Sequence, residues 1–214
     1  MKILDHGFIN VVDIMGNDAA IVQAARVSYG DGTKTTREDK ALINYLMRNK
    51  HSSPFEMCEI KLHIKMPLFI ARQWVRHRTA SINECSARYS IMVDEFYVPT
   101  EVYTQSKTNK QGSGEVINDP EIQEIIENNN KETYLNYLRL LTKGVSRETA
   151  RILLPVNIYT QWYWKINLHN LLHFLKLRLH PHAQWEIQQY AQGIATIVEE
   201  HWPQTWEAFN NNQS

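Results

Sequence analysis

The chain has 214 residues, a length that fits one domain, and its 23 Lys plus Arg balance 23 Asp plus Glu, so the formal charge is zero. That balance argues against a protein that coats DNA or RNA, because such binding draws on excess cations, while 43% apolar and 21% charged residues exclude disorder. Eight glycines and seven prolines leave room for long helices, and two cysteines, Cys58 and Cys85, are too few for a disulfide framework and fit a reducing compartment.

Ile3-Leu4 and residues 8–14 predict one or two short strands around Gly7. Asp5 and Asp13 interrupt any apolar leader, and no run approaches the ~20 apolar residues of a bilayer crossing. A soluble, cytoplasmic chain with no membrane partner is therefore expected. Asn17 or Asp18 can cap a helix carrying Ile21, Val22, Ala25 and Val27 on one side, ended by Gly30-Asp31-Gly32. Thr35 and Glu38 have the spacing of a capping box, and the helix after them would bury Leu42, Ile43, Leu46 and Met47 before Arg48-Asn49-Lys50.

Residues 56–66 form the clearest strand, with Cys58, Ile60, Leu62, Ile64 and Met66 on one face and Glu59, Lys61, His63 and Lys65 on the other. Such alternation indicates a half-buried antiparallel strand. Pro67 suits the first turn of a helix running through Ala71 toward Val75. Phe96-Tyr97-Val98 reads as a further strand, and residues 104–119, polar and containing Gly112-Ser113-Gly114, as a long surface loop. Asp119-Pro120-Glu121 starts a helix expected to reach Lys143, where Gly144 stops it. Residues 146–154 hold another helical turn or two, closed by Pro155. Residues 156–166 read as a strand with Ile158, Trp162 and Trp164 alternating. Asn167 caps a helix to about Arg178, and Pro181 begins one running to Glu200. No repeat or linker divides the chain. Residues 1–214 are expected to form a single α+β domain, helix-rich with a small mixed or antiparallel sheet.

Chemistry concentrates between Arg72 and Arg88, where Arg72, Arg76, His77, Arg78 and Arg88 interleave with Ser81, Asn83 and Ser86, opposed only by Glu84. Guanidinium groups offer planar, bidentate donors to phosphate oxygens, and hydroxyls add further donors. A solvated basic helix face is the plainer reading, but Arg76, His77 and Arg78 are consecutive and cannot share one face. A local anion site follows. Neither G-x-G-x-x-G nor G-x-x-x-x-G-K-[ST] occurs, so a nucleotide would be held by side chains and helix ends.

The run Arg76-His77-Arg78-Thr79-Ala80-Ser81-Ile82-Asn83-Glu84-Cys85-Ser86-Ala87-Arg88 has the form R-H-R-x-x-S-x-N-x-x-S-x-R. It resembles the signature of the flavin-dependent thymidylate synthases, matching all seven specified positions, a coincidence on the order of 10⁻⁹ per start under equal residue use. The resemblance extends through residues 25–28, 51–56, 150–155 and 182–186 and so spans most of the chain.

The resemblance implies an enzyme of de novo dTMP biosynthesis. It would methylate dUMP to dTMP, with 5,10-methylenetetrahydrofolate as carbon donor and NADPH as reductant through bound FAD. It also implies a homotetramer with active sites at subunit interfaces. By position, Gln73, Arg76, Glu84, Cys85, Ser86, Ala87, Arg88 and Arg151 would surround dUMP. Ser53, Arg76, His77, Arg78, Glu84, Asn167, Leu168, His169 and His173 would lie along FAD, and His51 close to flavin and folate. Arg178 would contact the uracil and favour its ionised N3 form, the catalytic role. His173 stands where asparagine is usual in the family, Ser53 where threonine is usual, and His180-Pro181 after Arg178 also differs.

Cys85 could activate uracil as a thiolate if nearby arginines lower its pKa, but a reduced flavin can deliver hydride with no covalent enzyme adduct. Ser86 reads better as a phosphate ligand, because a serine nucleophile needs a positioned base. His169 and His173, four apart, could share a metal; the glutamate of H-E-x-x-H is missing, and no metal is expected. Tyr159, Trp162, Tyr163 and Trp164 could stack bases, though strand packing explains them with less invention. A nucleotide- or RNA-binding module without catalysis would use the same arginines, and turnover separates the two.

Overall fold

In the computed structural model, which describes residues 1–29, 39–107 and 112–212, the alternating segment before Pro67 forms the middle of the sheet. That strand, β3 (Glu59–Pro67), lies between β2 (Gly7–Met15) and β7 (Tyr159–Asn167); β1 (Lys2–Ile3) and β4 (Ala80–Glu84) form the edges, in the order β1-β2-β3-β7-β4. Every pairing is antiparallel, which settles the mixed-or-antiparallel expectation. Register places Leu62 opposite Trp164 and Ile64 opposite Trp162. These large cross-strand pairs bury one face completely. The other face carries Glu59, Lys61, His63 and Lys65, with Lys165 on Glu59 at 2.8 Å and His63 stacked on Tyr163 at 4.8 Å. Trp162 and Trp164 are therefore core and Tyr163 is exposed, while Tyr159 is buried on the other face, its hydroxyl on the Asp5 carboxylate.

Helices cover the buried face. α1 (Asp18–Arg26) starts where Asn17 accepts the Ala20 N–H at 3.1 Å, and it buries Ile21, Val22 and Ala25. Val27 lies instead in a short 3-10 turn and is exposed. The expected break at Gly30-Asp31-Gly32 and the capping box at Thr35 and Glu38 lie outside the described residues. α2 (Asp39–Arg48) buries Leu42, Ile43 and Leu46. α3 (Ser53–Glu56) takes up Glu56, so β3 begins later than expected, and Pro67 ends β3 with α4 (Leu68–Trp74) following.

Between the sheet strands, residues 96–98 contribute only an isolated bridge from Phe96 to Ile158. A two-stranded ribbon, β5 (Val102–Gln105) with β6 (Ser113–Ile117), enters the span 104–119 that was expected to be loop. α5 (Pro120–Thr142) begins where Asp119 accepts the Glu121 N–H at 3.0 Å and ends at Gly144, whose φ of 83° favours glycine. α6 (Arg147–Ala150) and a 3-10 turn follow. α7 (Leu168–Arg178) is capped by Asn167, which accepts the Asn170 N–H at 2.9 Å. α8 (Trp185–His201) starts four residues beyond Pro181, because the chain first turns at 180–184.

α9 (Pro203–Asn211) was not expected. Its first N–H groups are satisfied by buried Asp18, which accepts from Gln204 at 2.9 Å and Thr205 at 3.1 Å. A close approach explains Gly7: a Cβ there would lie 2.2 Å from the Tyr190 hydroxyl, which donates to the Lys65 carbonyl at 2.8 Å. Among the described residues no helix is long and apolar enough to cross a membrane.

Candidate active site

Strand β4 makes the middle of the signature, Ala80–Glu84, an edge strand on β7, and its end opens a cleft. Pairing is anchored by Cys85 N–H on the Gln161 carbonyl at 2.8 Å and by the Thr160 hydroxyl on Glu84 at 2.7 Å. The chain then turns, with Tyr89 and Ser90 N–H groups on the Ser86 carbonyl. Met92 packs with Phe96 and Ile158 beneath it, its carbonyl taking the Tyr134 hydroxyl from α5 at 2.9 Å. Glu84, Cys85, Ser86, Ala87 and Arg151 line the resulting cleft of about 500 Å³. Arg88 is exposed beside it, its Nη2 on Glu148 Oε2 at 3.2 Å, and Arg151 Nε donates to the Glu148 carbonyl at 3.3 Å.

A second cleft, about 730 Å³, is lined by Gln73, Arg178, His182 and residues of the β5-β6 ribbon, Tyr103 and Gln105 among them. Gln73 Oε1 is buried there without a partner, an acceptor awaiting a donor. Arg178, the last residue of α7, donates through Nε to His77 Nε2 at 2.9 Å. A ring nitrogen that accepts from a guanidinium must be unprotonated. Accordingly, burial, then the Arg178 charge and His173, push His77 down to about 4 from its ordinary 6.5. Burial also lowers Arg178. His77 rests edge-on against Phe174 at 4.9 Å and has His173 at 6.5 Å. Arg76 and Arg78 flank it, both exposed.

The third cleft, about 320 Å³, brings His169 and His173 beside Arg48, Lys50 and Lys176, with Phe55 and Leu172 as apolar wall. Cations beside an apolar wall fit a flavin nucleotide, which has an anionic diphosphate and a flat ring. Ser53 lies two residues from Phe55 at the start of α3, and exposed His51 meets the Tyr45 ring edge-on at 5.8 Å. Two FAD candidates are committed to the fold: Asn167 spends its side-chain oxygen on capping α7, and Leu168 is fully buried with its N–H on the Cys58 carbonyl. The structure does not bring the Leu168 side chain to any cleft.

Cys85 is exposed, whereas buried Cys58 has its thiol pushed up by burial. Among the described residues no three His, Cys, Asp or Glu side chains converge in a way that could hold a metal ion. Sequence reasoning missed Glu148, the ribbon wall and the cations Arg48, Lys50 and Lys176. Only an acidic residue within the basic stretch 147–151 hinted at the first.

Residues 10–204 match the family model described as thymidylate synthase complementing protein. The chain is 59% identical over 212 residues to the flavin-dependent thymidylate synthase of Thermus thermophilus, covering 99% of this chain and 78% of that one. It is 57% identical to the Wolbachia pipientis wMel flavin-dependent thymidylate synthase, covering 97% and 75%. The solved structure of the UMP/dUMP methylase PolB from Streptomyces cacaoi, bound with 5-Br dUMP, is similar with a TM-score of 0.85 at 33% identity, covering 99% of this chain and 97% of that one.

Proposed function

We infer the reaction from one premise: this chain belongs to the flavin-dependent thymidylate synthases, enzymes that methylate dUMP. The finer reading is reductive methylation to dTMP in de novo dTMP biosynthesis. The carbon comes from 5,10-methylenetetrahydrofolate, and NADPH supplies electrons through bound FAD. The flavin, when bound, supplies the hydride; the chain's own residues bind, orient and polarise.

One observation carries the assembly: seven of the nine dUMP candidates divide between two clefts that share no lining residue, and Arg76 and Arg88 line neither. Glu84, Cys85, Ser86, Ala87 and Arg151 line one, with Arg88 beside it; Gln73 and Arg178 line the other. A homotetramer with active sites between subunits accounts for that division, one chain offering the phosphate grip and another the uracil contact. Arg88, Arg151 and the Ser86 hydroxyl would take the phosphate. Arg178, its Nε held by neutral His77, would turn its Nη donors to the uracil and favour the ionised N3 form. His169 and His173, with Ser53, Arg76, His77, Arg78, Glu84 and Asn167, would lie along FAD, and Leu168 would serve it by fixing the start of α7. His51, exposed near α3, would face flavin and folate. Residues 1–214 act in this reading as a single domain of a cytoplasmic enzyme.

Two measurements test this. FAD-loaded protein should form dTMP only with dUMP, methylenetetrahydrofolate and NADPH together; a colourless protein that refuses FAD sinks the reading. Co-expressing an Arg88→Ala/Arg151→Ala chain with an Arg178→Ala chain should restore turnover that neither has alone. No gain in the mixed assemblies overturns the shared site.

A further inference from the structure

We propose that Glu148 restricts the nucleotide site to monophosphates, by setting a carboxylate against the arginines that would hold the phosphate. The proposal rests on the reading of Arg88 and Arg151 as the phosphate grip. Between those two arginines the chain places a carboxylate: Glu148 Oε2 holds Arg88 Nη2 at 3.2 Å, and its carbonyl holds Arg151 Nε at 3.3 Å. The remaining cation of the stretch does not offset it, because Arg147 Nη1 is turned to the Tyr89 carbonyl at 3.1 Å. Ser146 fixes the short helix that carries Arg147 and Glu148 and leads into Arg151, accepting the Thr149 N–H at 3.3 Å.

A carboxylate inside a phosphate grip does nothing for anion affinity. It lowers the local positive potential and occupies a donor that phosphate oxygens could use. Its use lies in discrimination, where repulsion against a competitor sets specificity as effectively as attraction to the substrate. A monophosphate can share the donors Arg88 and Arg151 still have. A diphosphate brings further negative charge to the same pair of arginines, where the Glu148 carboxylate repels it and already holds Arg88 Nη2.

The test is the ratio of dissociation constants for dUDP and dUMP on the FAD-loaded enzyme, by calorimetry at low salt. Glu148→Gln keeps an acceptor for Arg88 and removes only the charge. That ratio should fall roughly two- to fivefold, the range for one exposed charge, and the fall should shrink as salt rises. Glu148→Lys, a reversal at an exposed position, should lower it further. If Glu148 were only a brace, both ligands would shift together; an unchanged ratio, with Arg88→Ala still weakening dUMP, overturns the proposal alone. An Arg88→Ala enzyme with unaltered dUMP affinity removes the phosphate grip itself, and the proposal with it.

Discussion

Acidification should loosen the fold around Arg178 in a window set by His77. The ring accepts the Arg178 Nε–H at 2.9 Å and is held down to about 4, against 6.5 in an unfolded chain. Between those values the unfolded state binds a proton that the folded state refuses, so stability falls as pH falls from about 6.5 to about 4. Above that window neither state carries the proton, and below it both do. At full burial the difference would be worth ~3.4 kcal/mol. The ring is half-buried and solvent screens the Arg178 charge, which leaves about 1–2 kcal/mol. The assay is urea unfolding of flavin-free protein between about pH 7 and about pH 4.5, comparing wild type with His77→Gln. The amide oxygen can accept from Arg178 but does not titrate. Wild type should lose about 1–2 kcal/mol more than the variant over that range. Ring-proton NMR, with the variant assigning the signal, should show His77 titrating clearly below its ordinary 6.5. A midpoint near 6.5, or equal losses in both proteins, refutes the reasoning.

Arg178→Ala should keep bound flavin, read from its visible absorbance, while methyl transfer falls about 10²- to 10³-fold, the cost of removing one donor aimed at developing charge. Normal turnover in that variant would mean that the uracil contact lies elsewhere. Cys85→Ala should retain product formation, since the thiol is exposed and no step is assigned to it; total loss with the fold intact would revive covalent catalysis. Gly7→Ala should destabilise by about 1–3 kcal/mol in urea titration, because its Cβ meets the Tyr190 hydroxyl at 2.2 Å and must displace that ring. An unchanged midpoint would show that the β1-β2 corner yields freely.

Much of the fold was legible because its signals are local. The alternation of β3 and the caps Asn17, Asp119 and Asn167 act over a few residues, and each appears where expected. α9 was missed although Pro203 is a local start signal, because the carboxylate that satisfies its first N–H groups is Asp18, nearly the whole chain away. The β5-β6 ribbon groups its apolar residues in adjacent pairs, Val102-Tyr103 and Val116-Ile117, and buries none of them fully, so it carries no alternation to read. β4 is extended because β7 pairs with it, not because its own residues insist. Conversely, Leu168 was expected along FAD by position, and packing buried its side chain in the core.

The order of the letters alone determined which side chains are available to this site: the R-H-R-x-x-S-x-N-x-x-S-x-R run, Arg151, Arg178 and the histidines of α7, together with the helices and central strand that carry them. Tertiary structure decided who meets whom. Arg178 finds His77 across 101 positions, Arg88 finds Glu148 across 60, and the nucleotide candidates separate into two clefts. The physical reason is range. Capping and alternation are satisfied within a few residues, but a ring's protonation or an arginine's partner depends on which elements the buried face of the sheet draws together.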